Sequence, residues 1–138
     1  MIRRISHVGL AVADLEVAIA RYRDDLGFTL EDRWTSESEG LEAAELRSGD
    51  ARVELMRPTR DESPVGKFLA RRGEGIHHVC YVVDDVAAAL EEARRSGLET
   101  IDAVPREGGG GRLRVAFLHP RTLGGVLVEL QEHVSGTS

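Results

Sequence analysis

The chain has 138 residues, is 41% hydrophobic and 4% aromatic, and carries a formal net charge of −6. That length supports one compact domain, or two very small modules sharing a core, filled by Val, Leu, Ile and Ala rather than by rings. A negative balance with no long run of one sign argues against nucleic acid as the main partner, and no apolar run approaches the ~18 residues of a membrane span.

The elements follow in chain order. Alternation and β-branched content predict a strand over 5–13, directly after Met1–Arg4, with no signal peptide before it. Asp14 is placed to cap a helix over about 15–26, closed by Gly27. Strands fit about 29–36, 41–47 and 51–57, with Ser48-Gly49-Asp50 as a hairpin turn. Ser63-Pro64 has the form of a cap followed by proline at the first helical position, giving a short helix to about Arg72. A strand at 76–83 precedes a second helix over about 85–96, capped by Asp84 or Asp85. A weak strand near 100–103 and strands over about 112–118 and 125–132 complete the chain. Gly108–Gly111 lacks the flanking strand and helix of a phosphate-binding motif and reads as a loop.

This order is written twice. Ile5, His7, Val8 and Asp14 match Ile76, His78, Val79 and Asp85 at one offset, and an Ala-rich amphipathic stretch ending near glycine (Gly27, Gly97) follows each. Arg52-Val-Glu-Leu-Met56 is then echoed by Leu127-Val-Glu-Leu-Gln131, which pairs Glu54 with Glu129. Two matches in the same order point to a duplicated module of strand, helix and three strands. The modules span about 1–58 and 75–138, joined by the helix over about 63–72.

Strand alternation puts His7 on one face with Gly9 and Ala11, and His78 on one face with Cys80 and Val82. Glu54 stands between Val53 and Leu55, and Glu129 between Val128 and Leu130, so each reads as a lone carboxylate on an apolar strand. A buried carboxylate is costly to ionise unless it is paired or binds a metal. Alone, such a histidine is more often a hydrogen-bonded core residue, and such a glutamate an edge or salt-bridge residue. Repetition in both copies shifts the balance to one divalent ion held by His7, Glu54, His78 and Glu129. Mixed N/O donors suit Co, Mn, Ni, Fe or Zn better than Ca.

Other residues carry less. His77, on the opposite face from His78, reads as structural. Cys80 reads as a small packing residue and, as the only cysteine, excludes an intrachain disulfide and fits a reducing, cytoplasmic setting. His119 serves either substrate or a turn. Arg57, Arg60, Lys67, Arg71 and Arg72 form either a phosphate-binding patch or a solvated face.

Three stretches carry a family resemblance: His7–Val12 with Asp14 and Leu15, Glu54–His78, and Val115–Leu130. With the His/Glu quartet they resemble the vicinal oxygen chelate superfamily of glyoxalase I, extradiol dioxygenases and bleomycin-resistance proteins, and within it the methylmalonyl-CoA epimerase family. The resemblance covers nearly the whole chain. It implies an α+β fold of two βαβββ modules forming a curled mixed sheet around a metal cleft. It also implies an isomerase that interconverts the R and S forms at C2 of methylmalonyl-CoA through an enolate, with an acyl-CoA substrate and a homodimeric assembly. Glu129 becomes one acid/base group and Glu54 its partner. One departure stands out: the position three after Gly40, a glutamate proposed as base in some relatives, is Ala43 here. Those relatives tend to carry glutamine at the Glu54 position, so either Glu54 or Glu45 takes that role. A glyoxalase I-type lactoylglutathione lyase is the first rival. A non-catalytic small-molecule-binding member usually lacks the quartet, and an extradiol dioxygenase uses two histidines and one glutamate.

Overall fold

A computed structural model of the chain describes residues 1–108 and 111–134. The chain divides into two compact units, His7–His77 and Met1–Ser6 with His78–Ser138. Both are of mixed α/β composition, each with a four-stranded mixed sheet. No helix among the described residues is long and apolar enough to cross a membrane.

In the first unit, β1 (Ile2–Ala11, entering at His7) lies parallel to β4 (Ala51–Pro58). β3 (Leu41–Ser48) runs antiparallel to β4 and to β2 (Thr29–Ser36), giving the order β2-β3-β4-β1. The hairpin closes as read from the sequence, with Ser48 opposite Ala51 across Gly49-Asp50. The Asp14 carboxylate accepts from the Val17 N–H at 3.1 Å and starts α1 (Leu15–Ala20). Leu15 and Ile19 then pack on Val12, Ala44, Leu46 and Leu55. The helix expected to 26 does run that far, but its last turn, Arg21–Asp25, widens to i→i+5 bonding. The Phe28 N–H closes it on the Tyr22 carbonyl at 2.9 Å, with Gly27 at φ 79. That six-residue closure needs a left-handed residue, which glycine supplies without Cβ strain.

The opposite face of this sheet is covered by α2 (Pro64–Arg72), whose Val65, Phe68 and Leu69 meet Ala11, Leu41, Ala43 and Met56. Ser63 Oγ accepts from the Gly66 N–H at 3.1 Å and donates to the Arg60 carbonyl at 2.8 Å. The helix start thus lies tight against the preceding turn.

In the second unit, β5 (Gly75–Val83, from His78 onward) is parallel to β8 (Val128–His133). β7 (Leu113–Leu118) runs antiparallel to β8 and to the short β6 (Arg106–Gly108), in the order β5-β8-β7-β6. Asp85, rather than Asp84, caps α3 (Val86–Arg95), its carboxylate accepting from Ala88 N–H at 3.1 Å. Val86, Ala89, Leu90 and Ala93, spaced to share one helical face, pack on Ala116, Leu118, Val128 and Leu130. The first strand contributes Ser6, whose Oγ donates to Gln131 Oε1 at 3.0 Å within this unit.

One expected element is reduced. The strand near 100–103 shrinks to a single bridge from Thr100 to Leu118, and β6 forms later, at 106–108. The reason is Asp102: its carboxylate, not a strand carbonyl, takes the Phe117 N–H at 2.8 Å. Arg94 meanwhile binds the carbonyls of Asp102 and Ala103. Of the glycine run read as a loop, Gly108 ends β6, while 109 and 110 lie outside the described residues.

Gly66 tests the packing of α2. Helix propensity alone favours alanine by about 1 kcal/mol, but a Cβ at Gly66 stands 2.6 Å from the Asp61 carbonyl oxygen and 2.7 Å from that of Arg60. Backbone cannot swing aside like a side chain, so sterics win: Gly66→Ala should lose about 1–3 kcal/mol in urea unfolding. A variant as stable as the parent would show that the turn yields.

Candidate metal centre

Within the first unit, parallel pairing of β1 with β4 sets Gly9 opposite Glu54. Gly9 carries no side chain, so the carboxylate has room beside it, and His7, two residues earlier, shares its face. The result is His7 Nε2 at 3.2 Å from Glu54 Oε2, with side chains 4% and 17% exposed. The second unit repeats the construction. Cys80 lies opposite Glu129 across β5 and β8, and His78, two residues before Cys80, brings Nε2 to 3.1 Å from Glu129 Oε1. Those side chains are 5% and 13% exposed. In both units a histidine, a small residue two places on, and a glutamate opposite that small residue make one device.

The surroundings of the two glutamates differ. Glu54 is not the lone carboxylate of its face: Glu45 stands directly opposite it across β3 and β4. Arg52 lies 3.6 Å from Glu45 and 3.8 Å from Glu31, and Arg47 holds Glu31 at 3.0 Å. Glu129 has Phe117 opposite it in β7, and the Phe117 ring stands edge-on to His78 with centroids 5.9 Å apart. Ala43 is fully buried in the cluster with Met56 and Leu41.

The donor chemistry fits a divalent ion. Each unit offers a buried imidazole nitrogen beside a little-exposed carboxylate oxygen, the mixed N/O donors that first-row transition metals and zinc prefer. A carboxylate so placed is stabilised by a cation or by a hydrogen bond, and here the imidazole provides the contact.

The remaining candidates separate. His77 packs its ring edge-on to Phe68 at 5.0 Å, a structural contact. His119 belongs to a turn: it caps Pro120–Thr122, and its Nδ1 accepts from the Arg121 N–H at 2.9 Å. In the basic cluster, Arg57 is paired with Glu42 at 3.0 Å, Arg60 binds the Glu37 and Ser38 carbonyls, and Arg72 lies over Phe68. Lys67 and Arg71 remain on the exposed side of α2. Phe117 and the Ser6–Gln131 pair escaped the sequence reading. The alternation that places Gln131 on the face of Glu129 was the available signal for the latter.

Burial raises the Glu45 carboxyl above its ordinary value, against the opposing effect of Arg52 and with help from Glu31 and Asp32. A raised carboxyl binds its proton more tightly folded than unfolded, so its stability cost is absent below the unfolded value of 4.5 and builds as pH rises through the folded one. Glu45→Gln should therefore gain stability relative to the parent as pH rises from about 4 to 7. A difference independent of pH would contradict this.

Comparison with known proteins agrees with this fold. A family model described as the Glyoxalase/Bleomycin resistance protein/Dioxygenase superfamily matches residues 6–117. An ethylmalonyl-CoA/methylmalonyl-CoA epimerase of Cereibacter sphaeroides is 36% identical over 134 residues, covering 96% of this chain and 99% of that protein. The crystal structure of a methylmalonyl-CoA epimerase from Mycobacterium tuberculosis superposes with a TM-score of 0.89 at 36% identity, over 96% of this chain and 89% of that one. A variant of Streptomyces coelicolor methylmalonyl-CoA epimerase, in complex with 2-nitronate-propionyl-CoA, gives 0.89 at 35% identity, over 98% and 100%. With the fold of its solved relatives and a family match over most of its length, the chain belongs to the glyoxalase/bleomycin resistance protein/dioxygenase superfamily.

Proposed function

We propose that the chain is an isomerase that inverts C2 of methylmalonyl-CoA, with one divalent ion held by His7, Glu54, His78 and Glu129. The observation that carries this reading is the recurrence of one histidine–glutamate pair on the same strand frame in both units. It is supported by relatives of near-equal length that bear the epimerase name. The ion, with cobalt, manganese, nickel and zinc all suited to these donors, supplies positive charge that stabilises the enolate.

The chain's own groups handle the proton. C2 lies between a thioester and a carboxylate, so its proton is moderately acidic. Inversion needs one group to take that proton from one face and another to return a proton to the other. Glu129 and Glu54 take these roles, each oriented by an imidazole and little exposed to water. Glu45 is the second candidate for the Glu54 role, since it stands opposite Glu54 in register. Metal-stripped protein restored with Co²⁺ and incubated with methylmalonyl-CoA in D₂O should take deuterium at C2 with inversion. Glu129→Gln should slow exchange by about 10²–10⁴-fold while retaining metal, and full exchange in that variant would remove Glu129 from its role. No exchange by metal-loaded parent protein would discard the substrate and bring forward the glutathione hemithioacetal of a glyoxalase I-type lyase.

The modules about 1–58 and 75–138 act together in this reading, as a cytoplasmic homodimer. Burial of the one cysteine suits a reducing compartment, and Val17, Leu26 and Ile76, more than half exposed, are surface that a second copy can cover. For the CoA tail, Lys67 and Arg71 are the basic side chains of α2 on offer, because Arg60 and Arg72 are engaged locally. Lys67→Glu with Arg71→Glu should raise KM about 10-fold, the scale of one or two lost charge contacts, with kcat nearly unchanged. An unchanged KM would place the tail elsewhere.

A further inference from the structure

We infer that Asp102 is a positioning residue for the metal centre, acting through Phe117 on the His78–Glu129 pair. The inference rests on the metal reading above and concerns the second unit alone. Asp102 stands in for a missing strand. The Phe117 N–H donates to its Oδ2 at 2.8 Å, and the Phe117 carbonyl accepts from the Ile101 N–H at 2.9 Å. Both polar groups of Phe117 are therefore taken up on the flank away from β8. In an antiparallel ladder this makes Phe117 and Glu129 a non-hydrogen-bonded pair. That is the closer of the two pair types, about 4.5 Å between Cα atoms, with the side chains drawn together.

The same carboxylate also holds the ring. The Arg106 guanidinium carbon lies 5.4 Å from the Phe117 centroid, within cation–π range. Arg106 in turn is fixed by Asp102, with Nε 2.9 Å from Oδ1 and Nη2 donating to Oδ2 at 3.3 Å. One aspartate therefore sets both the backbone of Phe117 and the cation against its ring. Asp102 is itself well seated: its side chain is 13% exposed, and Arg94 donates to its backbone carbonyl at 3.3 Å. The Phe117 ring then meets the His78 imidazole at 5.9 Å and 82°, the edge-on geometry that aromatic pairs prefer. His78 is thus flanked by Glu129 at 3.1 Å and by a ring whose own place is fixed.

An ion gains affinity when its ligands are already ordered. An imidazole and a carboxylate that must be immobilised as the ion arrives lose side-chain freedom at that moment, whereas a packed pair has lost it on folding. Groups that orient metal ligands from outside therefore govern metal affinity nearly as strongly as the ligands themselves. In the first unit the residue opposite Glu54 is Glu45, a charge rather than a ring. The positioning is a property of the His78–Glu129 pair.

The test is Co²⁺ binding to metal-free protein, read by titration calorimetry and by the visible absorption of the bound ion, with urea unfolding of the metal-free form as the measure of folding. Asp102→Ala should weaken Co²⁺ by about 10- to 100-fold and change the absorption bands, and Phe117→Leu should do the same. Because both act through one ring, the double variant should bind within about twofold of the weaker single one. Asp102→Asn keeps an acceptor for the Phe117 N–H but not the charge that holds Arg106, so it should lose less than Asp102→Ala. It carries the same comparison with Phe117→Leu if the alanine variant does not fold. Parent-like affinity and absorption in a folded Asp102 variant with lowered urea stability would make the aspartate purely structural and overturn the inference. Losses that multiply in the double variant would overturn the route through Phe117. A parent protein that binds no Co²⁺ would overturn the metal reading, and this inference with it, before any variant is compared.

Discussion

The parallel pairing of a histidine strand with a glutamate strand is the constraint on which each unit depends. Parallel neighbours present side chains of matched residues on the same face. The residue opposite the glutamate therefore has to be small, or the carboxylate has no room to approach the imidazole. Gly9 and Cys80 meet that requirement in different ways, one by having no side chain and the other by being compact and fully buried. Parallel strands also need a long crossover, and the sequence supplies it in each unit as a capped helix and further strands. The helices α1 and α3 each cover one face of their sheet, and the histidine–glutamate pair stands on the other.

The two units share this frame but diverge in what surrounds it. Around Glu54 the sheet carries a charged network in which Glu31, Glu45, Arg47 and Arg52 alternate in sign. Around Glu129 it carries an aromatic ring, a buried Ser–Gln hydrogen bond and an arginine fixed by aspartate. Duplication thus provides two like histidine–glutamate pairs, while the residues on the flanking strands give the pairs different electrostatic settings. An enzyme that acts on two faces of one carbon has use for that asymmetry, since the groups taking and giving the proton work in opposite senses.

Much of this was legible in the chain, because the signals were periodic and repeated. Helix caps at Asp14, Ser63 and Asp85 were visible as residue types before apolar-periodic runs, and each accepts the backbone N–H expected of it. The repeat matched His7 with His78 and Glu54 with Glu129 and so grouped the four, while the contact of each histidine with its own glutamate came from the structure. Cross-strand partners were not legible. Glu45 faces Glu54, and Phe117 faces Glu129, only because of registers set by a hairpin and by long-range pairing. The weak strand near 100–103 failed for a related reason: a side-chain carboxylate replaced a strand carbonyl as acceptor for Phe117, and no local pattern announces such a substitution.

The division of the first strand carries a consequence for synthesis. Ser6 and His7 are chain neighbours, yet residues 1–6 belong with the unit that begins again at His78, and Ser6 bonds to Gln131. The hairpin of β3 and β4 closes over two residues and can form as soon as it leaves the ribosome. Ser6 waits for nearly the whole chain before Gln131 exists, and closing so long a loop costs more entropy than closing a hairpin. Assembly is therefore ordered against the direction of translation at this end. Residues 1–6 emerge well before the unit they join, and an unpaired strand stays exposed to intermolecular pairing in the interval.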